Sequence, residues 1–222
     1  MPDDNNDLLE ELLTNDGDDL GTDEKTLSEN EKLAPLLEEI NLITDTTVRL
    51  FVRAILLHAP DHYWSAPASL SGKHHPPDER AEGGNVLHTQ RVVRLATLIC
   101  EAQERTAYEF DMIIAAALLH DVTKHVLYNN ELKYDKMHPY TVDPLVEKVR
   151  EEQGNDLKNA GPSLAIFLDD EFVQQILRLV RCHLGIWSPI PETVPVTSLE
   201  WSLHLADLIA SRLHLVSDGT VS

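Results

Sequence analysis

The chain has 222 residues, with 38 acidic against 18 basic side chains, a formal charge of −20, and only two cysteines. That length suits one domain plus an extension, and a 42% hydrophobic content is enough for a sizeable core. The acidic balance excludes an extensive basic surface for gripping duplex nucleic acid, because phosphate neutralisation needs clustered Lys and Arg; it leaves open a single strand or small phosphoester entering a cleft. Cys100 and Cys182 lie far apart with no CxxC pair, so neither a disulfide framework nor a zinc ribbon is expected, and a reducing cytoplasm is the simplest location. The N-terminus is acidic without an apolar h-region, and the longest apolar run, Ile113 to Leu119, is shorter than the roughly 20 residues that span a bilayer. Neither export nor membrane insertion is expected.

Residues 1–40 carry fourteen acidic residues against Lys25 and Lys32, which leaves −8 of the −20 for the rest of the chain. Residues 1–30, with DDNND, NDGDD and GTDE, combine low hydrophobicity with turn formers and are predicted to be a disordered acidic tail. Leu8, Leu9, Leu12 and Leu13 are spaced for a short amphipathic turn within it. From residue 31 to 216 the apolar spacing is helical, with segments near 33–43, 46–58, 86–104, 109–123, 140–153, 170–184 and 198–214. Breakers separate them: a long irregular stretch from Ala59 to Gly84, then GPS at 161–163 and SPIPETVP at 188–195. No alternating strand and no solenoid repeat stands out. The predicted class is all-α, one helical bundle, with a short tail at 217–222.

The ionisable residues on the apolar faces carry the functional signal. In 86–104 the stripe Val92, Leu95, Ala96, Ile99 runs back by one turn to His88. The run IIAAALL ends on the adjacent pair His120-Asp121. Phe172, Ile176, Leu179 and Val180 lead to His183, and Leu199, Leu203 and Ala206 lead to Asp207. A buried Asp is costly unless it is paired or binds a metal. Taken singly, each of these is explained by a hydrogen-bonded core residue or a helix cap. Recurrence on four helices, with only imidazoles and carboxylates, fits the ligand chemistry of Mn, Fe, Co, Ni or Zn. His138, at the start of the next helix in KMHPY, is the natural further imidazole.

The ordered set His88, His120-Asp121, His138, His183, Asp207 resembles the HD-domain metal-dependent phosphohydrolase superfamily, over about residues 64–212. Within it the chain looks most similar to the HD domain of bacterial 3′-to-5′ exoribonucleases, through APAS (66–69), His74-His75, GGNVLHT (83–89), LLHDVTKH (118–125), MHPY (137–140), CHLGIWSP (182–189) and LHLAD (203–207). The resemblance implies an HD-type helical bundle and one or two divalent ions. His88, His120, Asp121 and Asp207 would hold the first. Asp121 would bridge to a second held by His138 and His183. It further implies hydrolysis of a phosphoester in a nucleotide, short oligonucleotide or cyclic dinucleotide, by hydroxide activated between the ions.

In the HDxxK pattern Lys124 approaches the scissile phosphate, so Asp121 and Lys124 are the catalytic candidates; a helix C-terminus also favours a merely solvated Lys. His74 and His75 on the long loop suit proton transfer or phosphate contact, His75 being the better match as a substrate-binding residue. Trp187, and Tyr63 or Trp64, are candidates to stack on a base. His58, His62, His125, His204 and His214 fit no ligand pattern. Two departures matter. Leu184 stands where bimetallic members have a second His after His183, and nothing supplies the RNA-binding portion of the exoribonucleases. Two alternatives therefore stand beside the main expectation: a monometallic nucleoside-monophosphate phosphatase, and a non-catalytic signalling or scaffold module.

Overall fold

A computed structural model describes residues 30–72, 75–157 and 170–212; the acidic tail, His74, His214 and residues 217–222 lie outside the described residues. The described chain is mostly helical. A turn of helix at 30–33 passes through a 3-10 turn, Ala34–Leu36, into α1, Leu37–Ile40. Then follow α2, Thr46–Leu57; α3, Asp61–Ser65; α4, Gly84–Ala102; α5, Ala107–Leu119; α6, His138–Leu157; α7, Asp170–Cys182; and α8, Ser198–Arg212.

The helix α5 is the axis of the bundle. Thr106 and Glu109 form a reciprocal capping box at its start, and every residue from Asp111 to Leu119 is buried. It packs against α2, α4, α7 and α8, so its apolar circumference is covered on all sides, as an all-round hydrophobic helix requires. Asp111 is the exception in composition. It accepts from Thr44 N (2.9 Å), Thr44 Oγ1 (2.8 Å) and Asp45 N (2.7 Å), while Asp45 caps α2 through Val48 N at 3.0 Å. One buried carboxylate thus pins the start of α2 to the axis helix.

Two expectations need correction. The class is not purely helical: β1, His125–Tyr128, pairs antiparallel with β2, Glu131–Tyr134. The hairpin turn is Asn129-Asn130, both at positive φ (51° and 62°), the left-handed pair that a type I′ turn demands and Asn tolerates. Its outer residues are exposed, so no apolar alternation betrayed it. The stretch from Ala59 to Gly84 is also less irregular than expected, since it holds α3 and a 3-10 turn, Pro77–Arg80. Cys100 and Cys182 are buried free thiols, as expected. Among the described residues, no helix is long and apolar enough to cross a membrane.

Replacing Asp111 with Ala removes the acceptor of three donors at residues 44–45, and should cost roughly 2 kcal/mol in urea denaturation. A loss within error of zero would contradict the pinning role.

Candidate metal centre

The end of α5 delivers the central residues. His120 and Asp121 lie in the turn that closes the helix, where Val122 N bonds Leu119 O and Lys124 N bonds Asp121 O. The expected helix to 123 stops short, so the pair sits just beyond the helix end. His88 comes from the first turns of α4, Asp207 from α8, His138 from the first residue of α6, and His183 from the residue after α7. All six converge on one centre, with His88, His120, Asp121, His138 and His183 essentially excluded from solvent.

Hydrogen bonding to the backbone fixes the imidazoles. Nδ1 of His120 donates to Ala117 O (2.7 Å), that of His138 to Asp135 O (2.8 Å), and that of His183 to Val180 O (2.7 Å). A carbonyl only accepts, so in each neutral ring the proton is on Nδ1 and Nε2 presents a lone pair. Burial, reinforced by His138 and His120, pushes His183 down to about 3 and keeps it neutral. The Nε2 atoms then face one another and the carboxylates. His138 Nε2 lies 3.1 Å from His183 Nε2. Asp121 Oδ1 is 3.1 Å from His138 Nε2 and 3.7 Å from His183 Nε2. Asp121 Oδ2 is 3.3 Å from His120 Nε2 and 3.8 Å from His88 Nε2. Asp207 Oδ1 adds contacts of 3.0 Å to His88 Nε2 and 3.9 Å to His120 Nε2.

Burial works against a charge on His88, yet its hydrogen bond to Asp207 and then Glu79 raise it to about 9, so Nε2 of His88 donates to Asp207. The remaining Nε2 atoms and carboxylates at these separations repel unless a proton or a cation lies among them. The buried Nε2 of His120 has no hydrogen-bond partner. Two groups of ligand atoms, His88–His120–Asp121 and Asp121–His138–His183, are each compact enough to hold an ion, and they share Asp121 with one oxygen turned to each. Each group could therefore hold a metal ion with the imidazole and carboxylate donors it offers. Burial works against the charge on Asp121, yet Lys124 and His120 hold its carboxyl well below the ordinary range; Lys124 Nζ is 2.6 Å from Asp121 Oδ2.

A cleft of about 420 Å³ opens onto this centre, with His75, Lys124, Tyr134, Trp187 and His204 in its walls. Lys124, His75 and Trp187, the sequence's candidates for phosphate, substrate and base contact, all line it. Leu184 also faces the cleft. Tyr63 and Trp64 are corrected. Tyr63 is 2% exposed and stacks edge-on against Trp64 at 5.0 Å; both pack on the hydrophobic core and neither lines the cleft. Their apolar bodies close the bundle beneath α4.

Three residues escaped the sequence reading. His204, which fits no ligand pattern in the sequence, lines the cleft and holds the His183 carbonyl through Nδ1 at 2.7 Å, with its ring against Trp187 and Trp201. A Cβ at Gly185 would lie 2.2 Å from that ring, which explains the glycine. His125 lines the cleft with a buried Nε2 lacking a partner; only its position after HDxxK could have flagged it. Glu79 is fully buried behind His88. It lies in a polar run on a 3-10 turn, where helical periodicity says nothing.

No family model, curated protein or solved structure matches the chain, so its chemistry is argued from this centre.

Burial, then Lys124, pushes His125 from its ordinary 6.5 down to about 4. As pH falls below 6.5 the unfolded chain gains this proton and the folded chain does not, so stability present above 6.5 is lost toward pH 4. Urea midpoints measured from pH 7 to 4 should fall less steeply in His125→Gln than in wild type; an unchanged slope would contradict the assignment.

Proposed function

We propose that the chain is an HD-domain phosphohydrolase that depends on divalent metal and cleaves a phosphoester in a nucleotide, short oligonucleotide or cyclic dinucleotide. The observation that carries this reading is the convergence of four imidazole Nε2 atoms on the two oxygens of Asp121. His88, His120, Asp121 and Asp207 would hold one ion, and Asp121, His138 and His183 a second. Such ions, when bound, lower the pKa of water and offset the charge of a phosphoryl group undergoing displacement.

The chain's own residues complete the site. Lys124, paired with Asp121 and in the cleft wall, offers a point charge to a phosphoryl oxygen entering beside that carboxylate. His75 hydrogen-bonds Glu79 through Nδ1 at 2.7 Å, which leaves Nε2 for a ligand in the cleft. Trp187, 56% exposed at the cleft mouth, offers a face for a base. The cleft volume lies in the ordinary range for a small-molecule site, and with a net charge of −20 the chain is poorly suited to tracking along a long polyanion by surface charge. These features favour a small substrate.

Leu184 in the cleft wall favours a second reading, a monometallic nucleoside-monophosphate phosphatase, because the second group then has one carboxylate and two imidazoles only. A complete set of donors argues against a non-catalytic scaffold module.

Protein purified without chelator should contain Mn, Fe, Co, Ni or Zn by elemental analysis and, given Mn, hydrolyse bis(4-nitrophenyl) phosphate. Asp121→Ala should lose both metal and turnover. Lys124→Met should keep the metal while kcat drops about 100-fold. A metal-free, inactive wild type sinks the proposal, and turnover of mononucleotides without dinucleotides selects the second reading.

A further inference from the structure

Behind His88, on the side away from Asp121, lies a second buried cluster: His75, Glu79, His88 and Arg91. Glu79 is completely buried. Its Oε2 accepts from His75 Nδ1 at 2.7 Å and lies 3.3 Å from His88 Nδ1; its Oε1 accepts from Arg91 Nη1 at 2.6 Å. Arg91 is held in turn by Asp78. The backbone of Glu79 is fixed as firmly as its side chain. Its carbonyl accepts from Ala68 N at 2.8 Å, and a Cβ at Gly84 would lie 2.0 Å from that oxygen, so the absence of a side chain at Gly84 is what lets the 3-10 turn press against the start of α4.

His75, Glu79 and His88 are close enough to hold an ion of their own, but the Arg91 guanidinium takes Oε1 and would face any added cation. The cluster is therefore an ion-pair network in which Glu79 hydrogen-bonds His75 and Arg91 and stands 3.3 Å from His88 Nδ1, a buried atom with no hydrogen-bond partner of its own. We infer that Glu79 is a positioning residue: its carboxylate, hydrogen-bonded to His75 Nδ1 and 3.3 Å from His88 Nδ1, favours the Nδ1 proton on both rings and so leaves Nε2 of His88 for the side of Asp121 and Asp207 and Nε2 of His75 for the cleft. His120, His138 and His183 achieve the same orientation with backbone carbonyls. His88 in the middle of a helical turn has no such carbonyl among its contacts, and a carboxylate supplies what the backbone cannot.

The inference rests on the metal-centre reading, and its test separates the two. In Glu79→Gln the amide oxygen must face Arg91, which only donates. The NH2 group then faces both Nδ1 atoms as a donor, which drives the His88 proton onto Nε2, the nitrogen meant for metal. Zn affinity, measured by chelator competition on variant shown to be folded by circular dichroism, should weaken about 10–100-fold in Glu79→Gln. Long-range ¹H–¹⁵N spectra of Zn-loaded wild type should show His88 protonated at Nδ1 and metal-bound at Nε2, an observation that does not require the variant to fold. Equal Zn affinity in wild type and Glu79→Gln, or His88 bound through Nδ1, overturns the inference and leaves the metal centre standing. Wild type that takes up no Zn overturns both.

Discussion

Asp121 is a carboxylate at the closed end of the most apolar helix in the chain, 3% exposed, with imidazole nitrogens on two sides and one ammonium group against it. Removing such a charge from water costs several kcal/mol even after relaxation. Lys124 offsets part of that cost through Oδ2, but Oδ1 faces only His138 and His183, whose Nε2 atoms carry lone pairs. Protons or a metal ion between these atoms offset their repulsion. Nearly every other feature of the molecule follows from holding them there.

The scaffold does this by fixing each imidazole from behind. Two of the three carbonyls, at Ala117 and Val180, lie in the last turns of α5 and α7, where carbonyls lack intrahelical partners; the third, at Asp135, lies in the turn between β2 and α6. His204 secures the carbonyl of His183 from a further helix, and Glu79 stands behind His88. Asp111, one face of α5 and three turns away from the centre, keeps the axis helix in place against α2. The same helix thus carries a structural carboxylate near its start and presents a chemical one just past its end, distinguished by their surroundings: backbone donors for the first, lone pairs and Lys124 for the second.

Much of this was legible in the sequence, because periodicity reports directly on burial in helices. His88, His120, Asp121, His183 and Asp207 each fell on or beside an apolar stripe, and a titratable group there is costly unless it has a task. His138 followed from the start of the next helix. What periodicity could not reach lies outside regular helices. Glu79 sits on a 3-10 turn within a polar run, and its burial depends on the close approach permitted at Gly84. The β-hairpin after Lys124 has exposed outer residues and only the Asn129-Asn130 pair as a signal. Tyr63 and Trp64 were candidates for base stacking because an aromatic residue on a loop has no intrinsic mark of inside or outside; the short α3 turns them into the core.

Anomalous scattering from crystals equilibrated with Mn tests the account most directly. It expects ions within ligand distance of both Asp121 oxygens, the first among His88, His120 and Asp207 and the second beside His138 and His183, separated by about 3.5–4 Å. No anomalous peak at the Asp121 carboxylate, in protein that remains folded in Mn, would contradict the claim that this buried cluster is built around metal.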